Sequence, residues 1–424
     1  MAVEMKLEVG SRVELEIIDV AYGGEFIARY GDAVIFVRGA ILGERVIAEI
    51  TKKQAKLYRA IVRDVLLPAK GRIAHPWHLG TVEATGAADY GHMDLGVQRQ
   101  MKSLMLQNQL RRIGGEEAES QFSPEMFAVK SAEQGRDGSL REDPKAQGWH
   151  YRTRIDVLKL KTGVGMHILR TNKLVPLQEM PLASRRLCDL DLFGDKWDGF
   201  VPVKKRIRLV APSGSDPVAV IDGKVFSAPD MPGNAAIREI VSYRGEQYSY
   251  DINAGSFWQI HENAPSALAA HVFDGLEVSK GDTLVDLYSG SGLFSVVGAN
   301  IVGAAGGVRA FEGDELAVSA AKHNLRMMDW ASADTANINA ENISELIAGA
   351  DFVIADPPRA GLGTAAAQIL GQSQAKKIAL ISCDSASMAR DISALLKAGR
   401  KIESFTAVDI FPNTHYVETV CIVS

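Results

Sequence analysis

The sequence is poor in cysteine, and it lacks any long apolar run. Three cysteines occur in 424 residues (Cys188, Cys383 and Cys421). They are too few and too scattered for a disulfide framework or a Cys-rich metal site, so we expect reduced thiols, a cytoplasmic protein and no metal. No apolar run reaches the ~18 residues of a membrane span, and the first residues lack the layout of a signal peptide. A membrane partner is therefore not expected.

An excess of positive charge is also missing, since the formal net charge is −5. A nucleic-acid partner must then be met by local basic patches. Three clusters of basic residues are candidates, and for each of them a solvated strand face is the alternative interpretation. They are Lys52, Lys53, Lys56, Arg59 and Arg63; Arg152 and Arg154; and Lys204, Lys205, Arg206 and Arg208.

The spacing of apolar runs and glycine turns predicts three domains. Residues 1–68 carry short alternating strands between glycine turns, which is typical of a small antiparallel β-barrel that often binds RNA. Residues 69–250 mix helices, short strands and loops, and predict a central α+β domain that positions RNA. Residues 251–424 alternate apolar strands with helices, the pattern of a Rossmann-like parallel sheet. The predicted fold class is therefore multidomain α/β.

The stretch 286–294, DLYSGSGLF, reads as a strand end, a glycine turn and a helix start. Glycines such as Gly290 let a backbone approach a ligand closely, at the carboxyl end of a strand where nucleotides bind. The third glycine of a dinucleotide fingerprint is replaced by Ser295. Glu312 ends the next strand, where an acid can accept both ribose hydroxyls. S-adenosylmethionine fits this pattern better than NAD, and an ordinary α/β turn is the alternative.

Two more strands end in residues suited to chemistry, and a third carries an acid. Asp356-Pro357-Pro358-Arg359 predicts a rigid slot for a flat ring, or simply a tight turn before a helix. Cys383 precedes polar residues and a helix start, surroundings that favour a thiolate, although a lone strand cysteine is usually inert. Glu418 lies in an apolar strand and is either a surface carboxylate or a base with a raised pKa.

These parts match one reaction. A thiolate that adds to C6 of uracil makes C5 nucleophilic towards the cofactor methyl, and a base then removes the C5 proton. The chain resembles the RNA 5-methyluridine methyltransferases that carry an N-terminal TRAM barrel. The resemblance covers nearly the whole chain and rests on these stretches: 22–25, 43–46, 257–259, 286–292, 356–359, 382–384 and 415–418.

The resemblance implies a role for several residues. Cys383 would be the nucleophile and Glu418 the base. The expected cofactor pocket consists of Gln259, Tyr288, Gly290, Glu312 and Asp356, with Asn342 as a further candidate.

The chain departs from this family at two places. Many relatives bind an iron–sulfur cluster through four cysteines, but the corresponding positions here are Trp77, Thr85, Ala88 and Met180. Because such a cluster needs thiolates, we predict none. Many relatives also have Asn where this chain has His261, which changes the expected contacts to uracil.

The presence of the barrel favours 23S rRNA as the substrate, with uridine 54 of tRNA as an alternative. RNA cytosine-C5 methylation is disfavoured because Arg359, not a cysteine, follows Pro358. A non-catalytic RNA-binding or assembly factor is a further alternative, which the presence of both Cys383 and Glu418 disfavours. A monomer is expected.

Overall fold

The N-terminal strands close into a barrel. The computed structural model describes residues 7–55, 57–133 and 148–424. The barrel strands are β1 (Arg12–Val20), β2 (Phe26–Tyr30), β3 (Ala33–Arg38), β4 (Arg45–Gln54) and β5 (Leu57–Leu67). They follow one another in the order β1-β2-β3-β5-β4, and the β3–β5 pair is parallel. The predicted barrel is confirmed, with one parallel pair among its antiparallel ones.

The middle of the chain contributes helices and a second sheet. Its helices and first strand are α1 (Leu95–Gln109), α2 (Glu116–Glu119) and β6 (Val129–Ser131). The sheet consists of β7 (Arg154–Lys159), β8 (Val164–His167), β9 (Leu174–Leu177), β10 (Arg206–Val210), β11 (Val218–Ile221), β12 (Lys224–Ala228) and β13 (Met231–Pro232). Its order is β13-β12-β11-β10-β7-β8-β9, with all neighbours antiparallel. A separate hairpin, β14 (Ala236–Tyr243) and β15 (Glu246–Asn253), follows it.

The C-terminal part is a mainly parallel sheet with helices on both faces. Its helices are α3 (Ala264–Leu276), α4 (Leu293–Val302), α5 (Glu315–Leu325), α6 (Ile343–Leu346), α7 (Thr364–Gly371) and α8 (Ser385–Lys397). Its strands are β16 (Thr283–Leu287), β17 (Gly307–Glu312), β18 (Ala331–Thr335), β19 (Phe352–Ala355), β20 (Lys377–Ser382), β21 (Ile402–Asp409) and β22 (Glu418–Val423). The order is β18-β17-β16-β19-β20-β22-β21-β6, and β22 runs antiparallel between β20 and β21. The Rossmann-like prediction is confirmed.

Because successive side chains of a strand point to opposite faces, the two faces of this sheet pack into different hydrophobic cores. In β16, Leu284 packs with α3 and α4, whereas Val285 belongs to a core shared with α7, α8, α1 and the barrel. The β14–β15 hairpin shares the α3–α4 side through Val241 and Tyr250. The domain limits at 68 and 250 stay predictions, because the described hydrophobic clusters cross both of them.

The sheet leaves a crevice at one edge. Strand β17 lies on one side of β16 and β19 on the other, so the strand order reverses there. In open α/β sheets ligands bind outside the carboxyl ends of the strands at such a point. Across the described residues, no helix has the length and apolar character needed to cross a bilayer. The described part of the chain also contains no group of three or more His, Cys, Asp or Glu side chains that could hold a metal ion.

Candidate active site

A cavity of about 900 Å³ opens at the carboxyl ends of β16, β17, β19 and β20. Seven of the candidate residues line it: Gln259, Tyr288, Gly290, Glu312, Asp356, Cys383 and Glu418. Phe257, which is 71% exposed, and Leu316 also line it and present apolar surface to the opening. The sequence analysis included Phe257 in the stretch 257–259 without giving it a role, and it did not single out Leu316. The turn of the β11–β12 hairpin closes one side through Gly223.

Asn342 does not lie with the other candidates, because it is not part of the cavity lining. Its side chain accepts a hydrogen bond from the backbone N–H of Asn339 (3.0 Å) and donates one to the carbonyl of Asn337 (3.0 Å). Both bonds shape the turn that precedes α6. The side chain therefore holds backbone outside the cavity lining.

The glycine turn is held by backbone conformation and by one carboxylate. Tyr288, Gly290 and Gly292 have φ of 60°, 53° and 91°, the left-handed region that favours glycine. The N–H of Gly290 donates to Glu312 Oε2 (3.0 Å). Glu312 Oε1 accepts from the N–H groups of Gly313 (2.6 Å) and Asp314 (2.9 Å). These bonds fix the Glu312 carboxylate at the end of β17, where it lines the cavity.

Asp286 is the next-to-last residue of β16, and it is fully buried and does not line the cavity. Its Oδ2 accepts a 2.5 Å hydrogen bond from the Ser295 hydroxyl in α4. Burial raises the pKa of Asp286 to about 7. The serine in place of a third glycine thus ties α4 to the strand, which explains its presence in structural terms.

Strand register places the two predicted catalytic residues side by side. Ser382 of β20 pairs with Thr419 of the antiparallel β22, so continuing the ladder by one residue sets Cys383 opposite Glu418. Directly opposed residues have Cβ atoms about 4.5–5.5 Å apart. Asp356 follows β19, the parallel neighbour of β20, and lies at the same edge. The thiol of Cys383 and the carboxyl groups of Glu418 and Asp356 therefore meet in one corner of the cavity.

The carboxyl groups in this corner are hard to ionise. Burial, followed by the charge of Glu312, raises the pKa of Asp356 to about 7. Burial also raises the pKa of Glu418 well above its ordinary value, Asp356 raises it further, and the guanidinium of Arg359 opposes both. A cation bound in the cavity would lower both pKa values, as Arg359 lowers that of Glu418.

The expectation that the surroundings of Cys383 favour a thiolate is wrong. Burial raises the pKa of the Cys383 thiol to about 12, and Glu418 and Asp356 contribute in the same direction. The helix start that was expected to help is already capped. Asp384 Oδ1 accepts from the N–H groups of Ala386 (3.1 Å) and Ser387 (2.9 Å) at the start of α8.

The loop that leads to Glu418 is braced by buried polar contacts that the sequence pattern did not reveal. Gln98 of α1 exchanges two hydrogen bonds with Asn413, at 2.9 Å and 2.7 Å. Lys102, fully buried, donates to Asp409 Oδ1 (2.5 Å) and to the carbonyl of Phe411 (3.1 Å). Truncating one member of such a network leaves its partners unsatisfied, so the loop is held firmly.

His261 is not a cavity residue. It is buried, its ring stacks on Tyr151 with centroids 5.1 Å apart, and its Nδ1 accepts from the N–H of Asn263 (3.1 Å). Burial lowers its pKa to about 4, so the ring is neutral. The side chain at this position is therefore a buried, neutral ring outside the cavity lining.

The predicted basic clusters are largely neutralised where the structure describes them. Arg154 is buried in an ion pair with Glu239 (2.9 Å), so it cannot reach a phosphate. The remaining pairs are Lys53 with Glu8, Arg63 with Glu49, Arg206 and Arg208 with Asp156, and Lys205 with Asp222. Lys56 lies outside the described residues. Arg59 differs from these pairs, because it joins other arginines at Glu25.

The positions aligned with the cluster cysteines lie in an apolar environment. Trp77, Ala88 and Met180 belong to one hydrophobic cluster of the central domain. Thr85 is buried, and its hydroxyl donates to the carbonyl of Leu79. These side chains offer packing and no thiolate ligand.

Comparisons with known proteins agree with this geometry. A family model described as tRNA (uracil-5-)-methyltransferase matches residues 231–424. An RNA methyltransferase of Streptomyces coelicolor is 30% identical over 98% of this chain and 93% of its own length. The chain belongs to the RNA uracil-5-methyltransferase family. It is an enzyme that uses S-adenosylmethionine and acts on RNA.

Two further known proteins match this chain almost end to end. A 23S rRNA (uracil(1939)-C(5))-methyltransferase of Shewanella baltica is 23% identical over 98% of this chain and 96% of that protein. The crystal structure of the Pyrococcus abyssi tRNA (uracil-54, C5)-methyltransferase in complex with S-adenosyl-L-homocysteine has a TM-score of 0.65. It is 21% identical and covers 97% of this chain and 100% of that one. At this identity the likeness supports the fold.

The donor set of the cavity fits S-adenosylmethionine. The fixed carboxylate of Glu312 suits a ribose diol, and the glycine turn gives close access to backbone. The buried carboxyl groups of Asp356 and Glu418 favour a cation beside them, as a sulfonium is.

Proposed function

We propose that this enzyme methylates C5 of a uridine in 23S rRNA through a covalent bond between Cys383 and C6. The observation that carries the proposal is the register of β20 and β22, which opposes Cys383 and Glu418 at the rim of the cavity. The Shewanella relative named as a 23S rRNA enzyme supports the choice of RNA, since it matches over the barrel as well as the catalytic part.

The residues divide the reaction between them. Cys383 loses its proton to solvent and adds Sγ to C6, and the electron pair displaced from the C5=C6 bond makes C5 nucleophilic. S-adenosylmethionine, when bound, supplies the electrophilic methyl group that C5 takes up. Glu418 then removes the proton from C5, the electrons of that C–H bond restore C5=C6, and the sulfur leaves. Phe257 and Pro357 offer apolar surface for the flat base.

Gln259, Tyr288, Gly290, Glu312 and Asp356 are proposed to hold the cofactor, because all five line the same cavity. The Arg359 guanidinium lies 4.7 Å from the centre of the Tyr416 ring and is the cation that lowers the pKa values of Cys383 and Glu418. It therefore favours the ionised forms that the reaction needs.

The test uses RNA that contains 5-fluorouridine, incubated with the protein and S-adenosylmethionine. Fluorine cannot leave C5 as a proton does, so the Cys383–C6 bond is trapped as a band on a denaturing gel. We expect a cofactor-dependent adduct with 23S rRNA fragments, none with Cys383→Ala, and an undiminished adduct with Cys188→Ala, which removes an exposed cysteine. With ordinary RNA, Glu418→Gln should accumulate the adduct. An adduct formed by the Cys383→Ala protein would overturn the assignment of Cys383 as the nucleophile.

A tRNA substrate is the second candidate, and the end-to-end likeness to the Pyrococcus abyssi tRNA enzyme favours it. The same experiment performed on tRNA separates the two. An adduct with tRNA alone would replace the rRNA proposal while leaving the mechanism intact.

A further inference from the structure

Three arginines converge on one carboxylate where the barrel meets the central domain. Arg38 Nε donates to Glu25 Oε1 (3.1 Å), Arg59 Nη1 donates to the same oxygen, and Arg170 Nη2 lies 3.8 Å from it. Arg38 and Arg59 belong to adjacent barrel strands, whereas Arg170 lies in a central-domain turn with φ of 60°. One buried glutamate thus faces three guanidinium groups, so positive charge is in excess.

This three-to-one arrangement differs from a simple ion pair on the same barrel. Arg45, for example, pairs with Glu14 at 3.0 Å on the exposed barrel surface. At the cluster, burial and the charges of Arg38 and Arg59 lower the pKa of Arg170, which reports mutual repulsion. The side chains of Arg170 and Arg59 are 56% and 35% exposed, so an anion can reach them.

The cluster is linked to the active site through a short loop. Arg38 Nη2 donates to the carbonyl of Gly23 (3.1 Å), and the Tyr22 hydroxyl donates to Asp384 (2.5 Å), the residue after Cys383. Residues 22 and 25 are three steps apart, so their Cα atoms are separated by at most about 10 Å. The arginines and the residue after Cys383 therefore contact the same short barrel loop.

We propose that Arg38, Arg59 and Arg170 form a binding site for a backbone phosphodiester of the RNA, next to the target nucleotide. Guanidinium groups match the oxygens of a phosphate in a two-pronged geometry, and the barrel and central domain each supply part of the site. Because the charge comes from both domains, the site also fixes their joint orientation on the strand. The proposal rests on the proposed function for the path of the RNA.

The test is the salt dependence of binding to fluorescently labelled oligouridine. Arg170→Gln removes one exposed guanidinium without breaking a close hydrogen bond, and we expect it to weaken binding several-fold in low salt. The slope of log K against log[KCl] should become shallower by about 0.7, as for one lost phosphate contact on a single strand. Arg59→Gln should act similarly, Arg170→Lys should keep the slope, and the control Arg45→Gln should leave it unchanged. Slopes for Arg170→Gln and Arg59→Gln equal to that of Arg45→Gln would overturn the site.

The 5-fluorouridine adduct separates this proposal from the proposed function. At saturating RNA, Arg170→Gln should form the adduct at the wild-type rate, since the change affects capture of the strand. A changed salt slope without any adduct in the wild type would keep the phosphate site and reject the uracil chemistry. An adduct in the wild type together with an unchanged salt slope for Arg170→Gln would keep the uracil chemistry and reject the phosphate site.

Discussion

The thiol of Cys383 lies between opposing influences on its pKa. Burial, Glu418 and Asp356 raise it to about 12, and Arg359 lowers it. A sulfonium in the same cavity would add positive charge, and a nearby positive charge favours the thiolate. The groups of the protein itself thus favour the neutral thiol at Cys383.

We predict that cofactor charge controls the reactivity of Cys383. In the free protein, alkylation of Cys383 by iodoacetamide should keep rising from neutral to alkaline pH, because the thiol stays protonated well above its ordinary pKa. S-adenosylmethionine should shift that rise to lower pH, whereas S-adenosylhomocysteine, which occupies similar space without the charge, should shift it less. Peptide mass spectrometry gives the rate at position 383.

The exposed thiol of Cys188 is the internal control for this measurement. Its alkylation should follow the same pH curve with either ligand. A rate at Cys383 that already levels off near neutral pH in the free protein would contradict the prediction.

Residue types and strand ends were sufficient to predict Cys383 and Glu418 as candidates that share the cavity rim. The pKa direction of Cys383 was not accessible in this way. It depends first on the burial of the thiol and then on the carboxyl groups of Glu418 and Asp356, and both are set by the tertiary structure. Asn342 illustrates the same limit, because its bonds to Asn337 and Asn339 appear only when the turn is folded.

At the scale of elements, the β1–β2 loop is docked against the catalytic part. The Tyr22 hydroxyl bonds to Asp384, and that bond is the first cause of a pKa of about 12 for Tyr22. Gly24 has φ of 73°, and a Cβ there would lie 2.6 Å from Asp89 Oδ2 and 3.1 Å from His415. The barrel loop is therefore wedged beside the loop that leads to Glu418.

We predict that Tyr22→Phe slows adduct formation at saturating RNA about 10-fold, because Asp384 loses a charge-assisted hydrogen bond beside Cys383. Affinity for S-adenosylmethionine, measured by calorimetry, should stay unchanged. Gly24→Ala should slow the reaction further by pushing the loop away. Tyr30→Phe alters a barrel tyrosine outside the cavity lining and serves as the control. An adduct rate for Tyr22→Phe equal to that of Tyr30→Phe would mean that the contact is only structural.

The barrel strands and the β16–α4 turn could be predicted because local alternation and glycine spacing determine them. The docking of Tyr22 on Asp384 could not be predicted, since the two residues are 362 positions apart and no local pattern links them. The hydrogen bonds from α1 could not be predicted for the same reason. In the sequence, Gln98 and Lys102 look like ordinary surface residues of a helix. Their partners, Asn413 and Asp409, are brought to them only by the tertiary fold.

For the whole molecule, the central domain has an apolar cluster at the positions that align with cysteines of the relatives. Trp77, Ala88 and Met180 share this cluster with Tyr151 and Leu187. Packing of large apolar side chains contributes stability that does not depend on a metal. The central sheet is thereby held by hydrophobic burial within the described chain.

We predict that this cluster carries stability without iron. Met180 is 7% exposed and Met327 is 80% exposed, so the two give a matched pair of methionine deletions. Met180→Ala should lower the free energy of unfolding by about 2–5 kcal/mol, and Met327→Ala by less than about 0.5 kcal/mol. Thermal unfolding of the wild type should give the same Tm with and without a chelator, and metal analysis should find iron at background. If Met180→Ala is as stable as Met327→Ala, or if a chelator lowers the wild-type Tm, then packing at these positions does not stabilise the domain as argued.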